Sequence, residues 1–194
     1  DDAGLSAGSV YIVYGAGGSP EADLDLAVVV SSDRFLEIDG NGAYSFTGYS
    51  VDSIGDMDGD GFDDIIIAAP GYGYNSYSEG WGEAYVVFGA VDLSTVDLST
   101  LENDGKGFSI SGKDPGGIDG LEWTAYDVSS AGDFNGDGFD DLLVGSGSNY
   151  YESGKVFMVF GSSDRSILTD LNLNSVDSSI TSDDSRAIII ESER

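Results

Sequence analysis

Two nine-residue stretches, DMDGDGFDD at residues 56–64 and DFNGDGFDD at residues 133–141, are near-copies of one another. Each sets acidic or amide side chains at loop positions one, three, five and nine around two glycines, so hard oxygen donors crowd a short turn. Unneutralised, such donors repel: two carboxylates about 5 Å apart at an effective dielectric near 20 lose roughly 3 kcal/mol. The first stretch holds five acids in nine residues. A divalent cation removes that cost, and the two stretches read as calcium loops. Turn chemistry also favours Asp, Asn and Gly, but it needs one or two such residues and not four alternating donors twice over.

The loops also mark a repeat. They lie 77 residues apart, at Asp56 and Asp133, and the echo continues on both sides. IIIAAPG at 65–71 answers LLVGSGS at 142–148, and AYVVFGA at 84–90 answers VFMVFGS at 156–162. VYIVYGA at 10–16 is a third copy of the last segment, and RFLEIDG at 34–40, GFSISG at 107–112 and AIIIES at 187–192 supply a further extended element each. With a segment before each loop (about 49–54 and 126–131), every unit contains four short strands punctuated by Gly, Asp and Ser. The chain therefore reads as all-β, and a four-stranded antiparallel repeat reads as a propeller blade. Residues 1–48 would be the last two strands of a partial blade plus a link, 49–112 a complete blade with the first calcium loop, and 113–194 a complete blade with the second.

The DxDGDGxDD loop, the IIIAAPG segment behind it and the VVFGA strand together resemble the FG-GAP repeat of integrin-α-like β-propellers. That resemblance implies one Ca2+ per loop, two sites in all, held by side chains at positions one, three, five and nine and the backbone carbonyl at seven. Carried over, the first set is Asp56, Asp58, Asp60, the Phe62 carbonyl and Asp64. The second is Asp133, Asn135, Asp137, the Phe139 carbonyl and Asp141. The second unit departs from the pattern, with VGSGS where the first has IAAPG. Asp63 and Asp140, at position eight, are expected in solvent or behind the ligands rather than on the metal. An EF-hand is excluded because position twelve is Ile67 or Val144 and strands flank the loop. The nonapeptide calcium repeat of parallel β-helices is absent.

Thirty-six acids against seven bases give a formal net charge of −29, which opposes nucleic acid and anionic membranes and favours metal ions or cationic partners. Cysteine and histidine are both absent, so disulfides, thiolate sites, imidazole bases and the usual triads are unavailable, and the chain is not expected to be an enzyme. No apolar run approaches 18 residues, so membrane insertion is not expected. Loops of this kind in extracellular modules bind calcium at roughly 10⁻⁴ to 10⁻³ M, which points to a location outside the cell or on its surface.

In an antiparallel blade the calcium loops share one end with residues 90–106 and 162–186. The other end collects 40–48, 70–83, 112–125 and 147–154. That second face carries Tyr72, Tyr74, Tyr77, Trp81, Trp123, Tyr150 and Tyr151, the candidate surface for a protein or carbohydrate ligand. The expected function is a calcium-binding adhesion or recognition module. Two alternatives stand beside it: a structural subunit that self-associates through blade edges into a ring or filament, and an accessory domain of a polysaccharide-active enzyme. About ten strands do not close a propeller of four to eight blades, so the chain is expected to be part of a longer protein, to be completed by another chain, or to stand as an open arc capped by the acidic stretch at 162–186.

Overall fold

β-branched and aromatic runs bounded by Gly and Asp turns become short strands. The computed structural model describes residues 5–15, 35–73, 80–91, 93–112, 124–147, 154–173 and 186–190. These residues contain β1 (Ser9–Val13), β2 (Phe35–Asp39), β3 (Val51–Gly55), β4 (Asp64–Ala69), β5 (Glu83–Val87) and β6 (Gly107–Ser111). They continue with β7 (Thr124–Gly132), β8 (Asp141–Ser146), β9 (Lys155–Val159), β10 (Leu171–Asn172) and β11 (Ala187–Ile190). Each element expected from the repeat is present, with ends shifted by a few residues.

Three sheets result. β1 and β2 pair antiparallel, β3-β4-β5-β6 form one antiparallel unit with β10 added at its outer edge, and β7-β8-β9-β11 form the other. The described strands form no closed ring. The register shifts between Ser53 and Gly55 in β3, and between Ser130 and Gly132 in β7, so each inner strand bends at the same point before its acidic loop.

Period-two alternation explains why β4 and β5 read as continuous apolar runs. Ile66, Ala68, Ala84 and Val86 face one core, which they share with Ala125, Val128, Leu142, Val144, Phe157 and Val159 of the second unit. Ile67, Ala69, Tyr85 and Val87 face a second core with Leu36 and Ile38 of the first sheet. The middle sheet is thus covered on both faces, as a blade between two blades must be.

The inner strands meet in a particular way. Tyr49 donates its hydroxyl to that of Tyr126 at 2.9 Å, Ser50 donates to Asp127 at 2.9 Å, and Ser129 donates to Asp52 at 3.2 Å, each pair 77 residues apart in sequence. Equivalent residues of two rotated units touch only where they lie close to the rotation axis, so β3 and β7 are the strands nearest the axis. The link residues behave as the blade reading expects at the opposite end: Gly71 N–H donates to the Ser45 carbonyl at 3.1 Å, and Thr124 N–H to the Trp81 carbonyl at 3.1 Å.

β10 is a feature the repeat did not announce. It pairs parallel with β6, Leu171 opposite Ile110 and Asn172 opposite Ser111, and so belongs to the neighbouring sheet. Leu168, Leu171 and Leu173 are buried in the core between the units. The described part of the acidic stretch at 162–186 is therefore a strap that extends the edge of the middle sheet and packs its leucines between the units.

Candidate metal centre

The first loop is wound around its own side chains. The Asp60 amide donates to Asp56 Oδ1 at 3.0 Å and to Asp58 Oδ1 at 3.1 Å, Gly61 N–H to Asp56 Oδ2 at 2.9 Å, and Phe62 N–H to Asp60 Oδ1 at 2.9 Å. Left-handed φ values of +75° at Gly59 and +92° at Gly61 let the chain curl tightly enough for this. One oxygen each of Asp58 and Asp60 is left over by the turn chemistry, and in Asp58 it points inward.

Asp64 closes the loop from behind. Its Oδ2 accepts the Met57 amide at 2.9 Å and its Oδ1 the Gly89 amide at 2.8 Å, so position nine clasps the loop to the end of β5. Carboxylate oxygens of Asp56, Asp58 and Asp64 lie within 4.8 Å of one another, among the described residues the one trio of carboxylates that converges in this way. Asp58 is only 4 % exposed, and its buried Oδ2 takes none of the loop amides and faces the Arg165 guanidinium instead. A buried carboxylate oxygen that the turn amides leave free and that already faces a cationic group, beside two further carboxylates, fits a hard cation. Burial pushes the Asp64 carboxyl up to about 7 against the lowering effect of the Gly89 and Met57 amides. Burial also raises Asp58, with Arg165 opposing. A dication near both carboxylates would draw them back to the ionised form.

Of the expected ligands in this loop, Asp56, Asp58 and Asp64 come together, whereas the Asp60 carboxylate is drawn to the guanidinium of Arg165 at 2.9 Å. The same Nη2 contacts Asp58 Oδ2. Phe62, whose carbonyl was expected on the metal, has an exposed ring.

The second loop repeats the backbone pattern almost bond for bond. Gly136 and Asp137 amides donate to Asp133 Oδ1 at 2.8 and 3.0 Å, Gly138 to Asp133 Oδ2 at 3.0 Å, and Phe139 to Asp137 Oδ1 at 3.0 Å. Asp141 clasps it from behind, accepting Phe134 N–H at 3.0 Å and Gly161 N–H at 3.0 Å. Asn135 makes the difference. Its Oδ1 accepts the Asp137 amide at 2.8 Å while its Nδ2 donates to Asp137 Oδ2 at 2.8 Å, so a neutral amide bridges the side chains where the first loop has the Arg165 guanidinium between Asp58 and Asp60.

The loops also touch each other. Asp56 N–H donates to Asp140 Oδ2 at 2.9 Å, and Asp140 N–H to the Asp56 carbonyl at 3.3 Å. Asp140 therefore stands behind the first loop's ligands, holding its first residue in place, while Asp63 is exposed. Asp140 was expected behind the ligands, but its reach to the other loop, like Gly89, Gly161 and Arg165, was not visible in the sequence; the glycine after each repeated VF dipeptide was the available signal for Gly89 and Gly161.

On the expected ligand face, Tyr72 and Trp81 are half-buried and meet edge to face at 6.2 Å between ring centroids. Both thus pack against each other. Tyr74, Tyr77, Trp123, Tyr150 and Tyr151 lie outside the described residues.

Fold and loops together define an all-β protein of repeated antiparallel sheets with an acidic, amide-wound turn between the first two strands of each unit. Residues 47–87 and 125–157 match the FG-GAP repeat model, and both acidic loops fall inside these spans. The chain carries two FG-GAP repeats, which imply propeller blades.

Proposed function

We propose that this chain is a calcium-stabilised FG-GAP propeller module that works outside the cell or at its surface in adhesion or recognition of a protein or carbohydrate. The observation that carries the metal part is the convergence of Asp56, Asp58 and Asp64 around the buried Asp58 Oδ2. Calcium would be held there by these three carboxylates, with Asp60 joining when its carboxylate turns inward. Asp133, Asn135, Asp137 and Asp141 would hold a second ion once the Asn135 amide presents its oxygen. The ions' role is to neutralise the loops and fix their ends to β5 and β9. The net charge of −29 supports a cationic partner over an anionic one.

A thermal melt with calcium against chelator tests this. At about 100 times Kd the native state gains about 2.7 kcal/mol, or roughly 5–10 °C for a chain of this size. An unchanged midpoint would sink the metal reading. Recognition is tested separately, by binding of the calcium-loaded chain to glycan and extracellular-matrix protein arrays.

Self-association as a structural subunit is the second reading, and one contrast favours it. Met57, at position two of the first loop, is fully buried under the second unit, whereas its counterpart Phe134 is 67 % exposed. Phe134→Ser would then abolish calcium-dependent dimers in sedimentation; a chain monomeric at all concentrations with calcium present removes this reading.

A further inference from the structure

Arg165 lies outside both matched repeats and yet reaches the first loop. Its guanidinium Nη2 sits 2.9 Å from Asp60 Oδ2 and contacts Asp58 Oδ2, two of the oxygens that a cation in this loop would use. It is not a loose surface side chain. The guanidinium carbon stands 4.7 Å above the Phe88 ring, and the strap that delivers it is tied at both ends: Ser162 N–H donates to the Met57 carbonyl at 2.9 Å, and Leu168, Leu171 and Leu173 are buried beyond it. In a chain with seven bases and 36 acids, a basic side chain fixed over one metal loop is a specific placement. The second loop makes its corresponding bridge with the neutral Asn135 amide.

We propose that Arg165 is a built-in counter-cation of the first loop, which sets that loop's calcium affinity by competing for Asp58 and Asp60. The inference rests on the metal reading of the loop. A guanidinium cannot share these oxygens with a dication without strong repulsion, so calcium entry requires Arg165 to swing off. The strap's hold on the middle sheet is then linked to occupancy: calcium weakens the Arg165 tether, and the tether weakens calcium. By linkage the two effects are equal in size. The device would let the first loop keep its fold at low calcium, with Arg165 in place of the ion.

The test is a calcium titration of the full chain by NMR, with the Gly61 amide reporting the first loop and the Gly138 amide the second. Arg165→Gln should tighten the dissociation constant read at Gly61 by roughly tenfold, as expected for losing a half-exposed charge pair with two carboxylates, and leave Gly138 unchanged. Arg165→Lys, which keeps the charge, should stay nearer the wild type. Unchanged or weakened binding at Gly61 in Arg165→Gln would overturn the proposal. Should that variant fold poorly, the wild type still decides: the Arg165 Nε–H resonance must move in step with Gly61 as calcium is added, and a resonance that stays still refutes displacement. If neither glycine amide responds to calcium in any variant, the metal reading falls and this inference with it. If both respond and Arg165 plays no part, the metal reading survives alone.

Discussion

At the residue scale, the ninth position of each loop has two roles that can be separated. Asp64 and Asp141 are buried and accept backbone amides from the loop, one for Asp64 and two for Asp141, and one more from the glycine two residues past β5 or β9. Removing either carboxylate strands at least two amides, each worth about 1–3 kcal/mol when buried and unpaired. Asp141→Ala should therefore lower urea-unfolding stability by roughly 2–4 kcal/mol even with chelator present, where a purely metal-binding residue would cost nothing. Gly161 is confined for a different reason: a Cβ there would stand 2.6 Å from the Met57 carbonyl oxygen and collide with that of Asp140. Gly161→Ala must push the strap off the loops and should cost about 2 kcal/mol or more. The Tyr49 phenol is held above its ordinary 10.0 by its hydrogen bond to Tyr126. Because the folded value is the higher one, the contribution of this pair is complete below pH 10 and lost as the pH rises further. Tyr126→Phe should return the Tyr49 titration, followed by ring-carbon NMR, toward the ordinary value.

At the scale of elements, the strap is where one unit holds the other. β10 adds a parallel strand to β6, Asp170 accepts the Ser109 amide at 2.9 Å, and Leu173 is buried in the shared core. Leu173→Ala should cost about 2–4 kcal/mol in chemical denaturation with one transition retained, because its loss weakens both sheets at once. The same contact explains why repeat periodicity could not locate it. The sequences of 90–106 and 162–186 do not echo each other, and a two-residue strand carries no pattern of its own. The inner strands, in contrast, follow the repeat so closely that residues 77 apart hydrogen-bond to one another.

At the scale of the whole molecule, charge governs. With a formal −29, self-repulsion disfavours the compact state, and screening relieves it. In chelator, raising sodium chloride from about 0.01 to 1 M shortens the screening length from about 30 to 3 Å, so the melting midpoint should rise with salt. Calcium at millimolar levels should still exceed that gain, since a bound ion neutralises the loops locally. A salt effect as large as that of calcium would mean that general screening, and not a site, explains the stabilisation. The two loops also differ in their surroundings: the first is roofed by Phe139, Asp140, Gly161 and Arg165 of the second unit, while Phe134 of the second stands exposed.

The amino-acid sequence by itself determined the strands, their grouping in fours and the two acidic loops, because a repeat states its local structure twice and alternating donors between β-branched runs have few other readings. The backbone of both loops is equally local, wound on Asp and Asn side chains two to five residues away, and so it was legible too. Only the tertiary structure decided which donors converge. Asp60 turns to Arg165, 105 residues further on, and Asp140 is taken by the Asp56 amide 84 residues earlier. These partners meet because one unit packs over the other, and that packing follows from two buried sheet faces rather than from any motif. The near-copies at 56–64 and 133–141 are thus alike in backbone and unlike in setting: one holds a buried carboxylate oxygen against an arginine, the other an amide bridge.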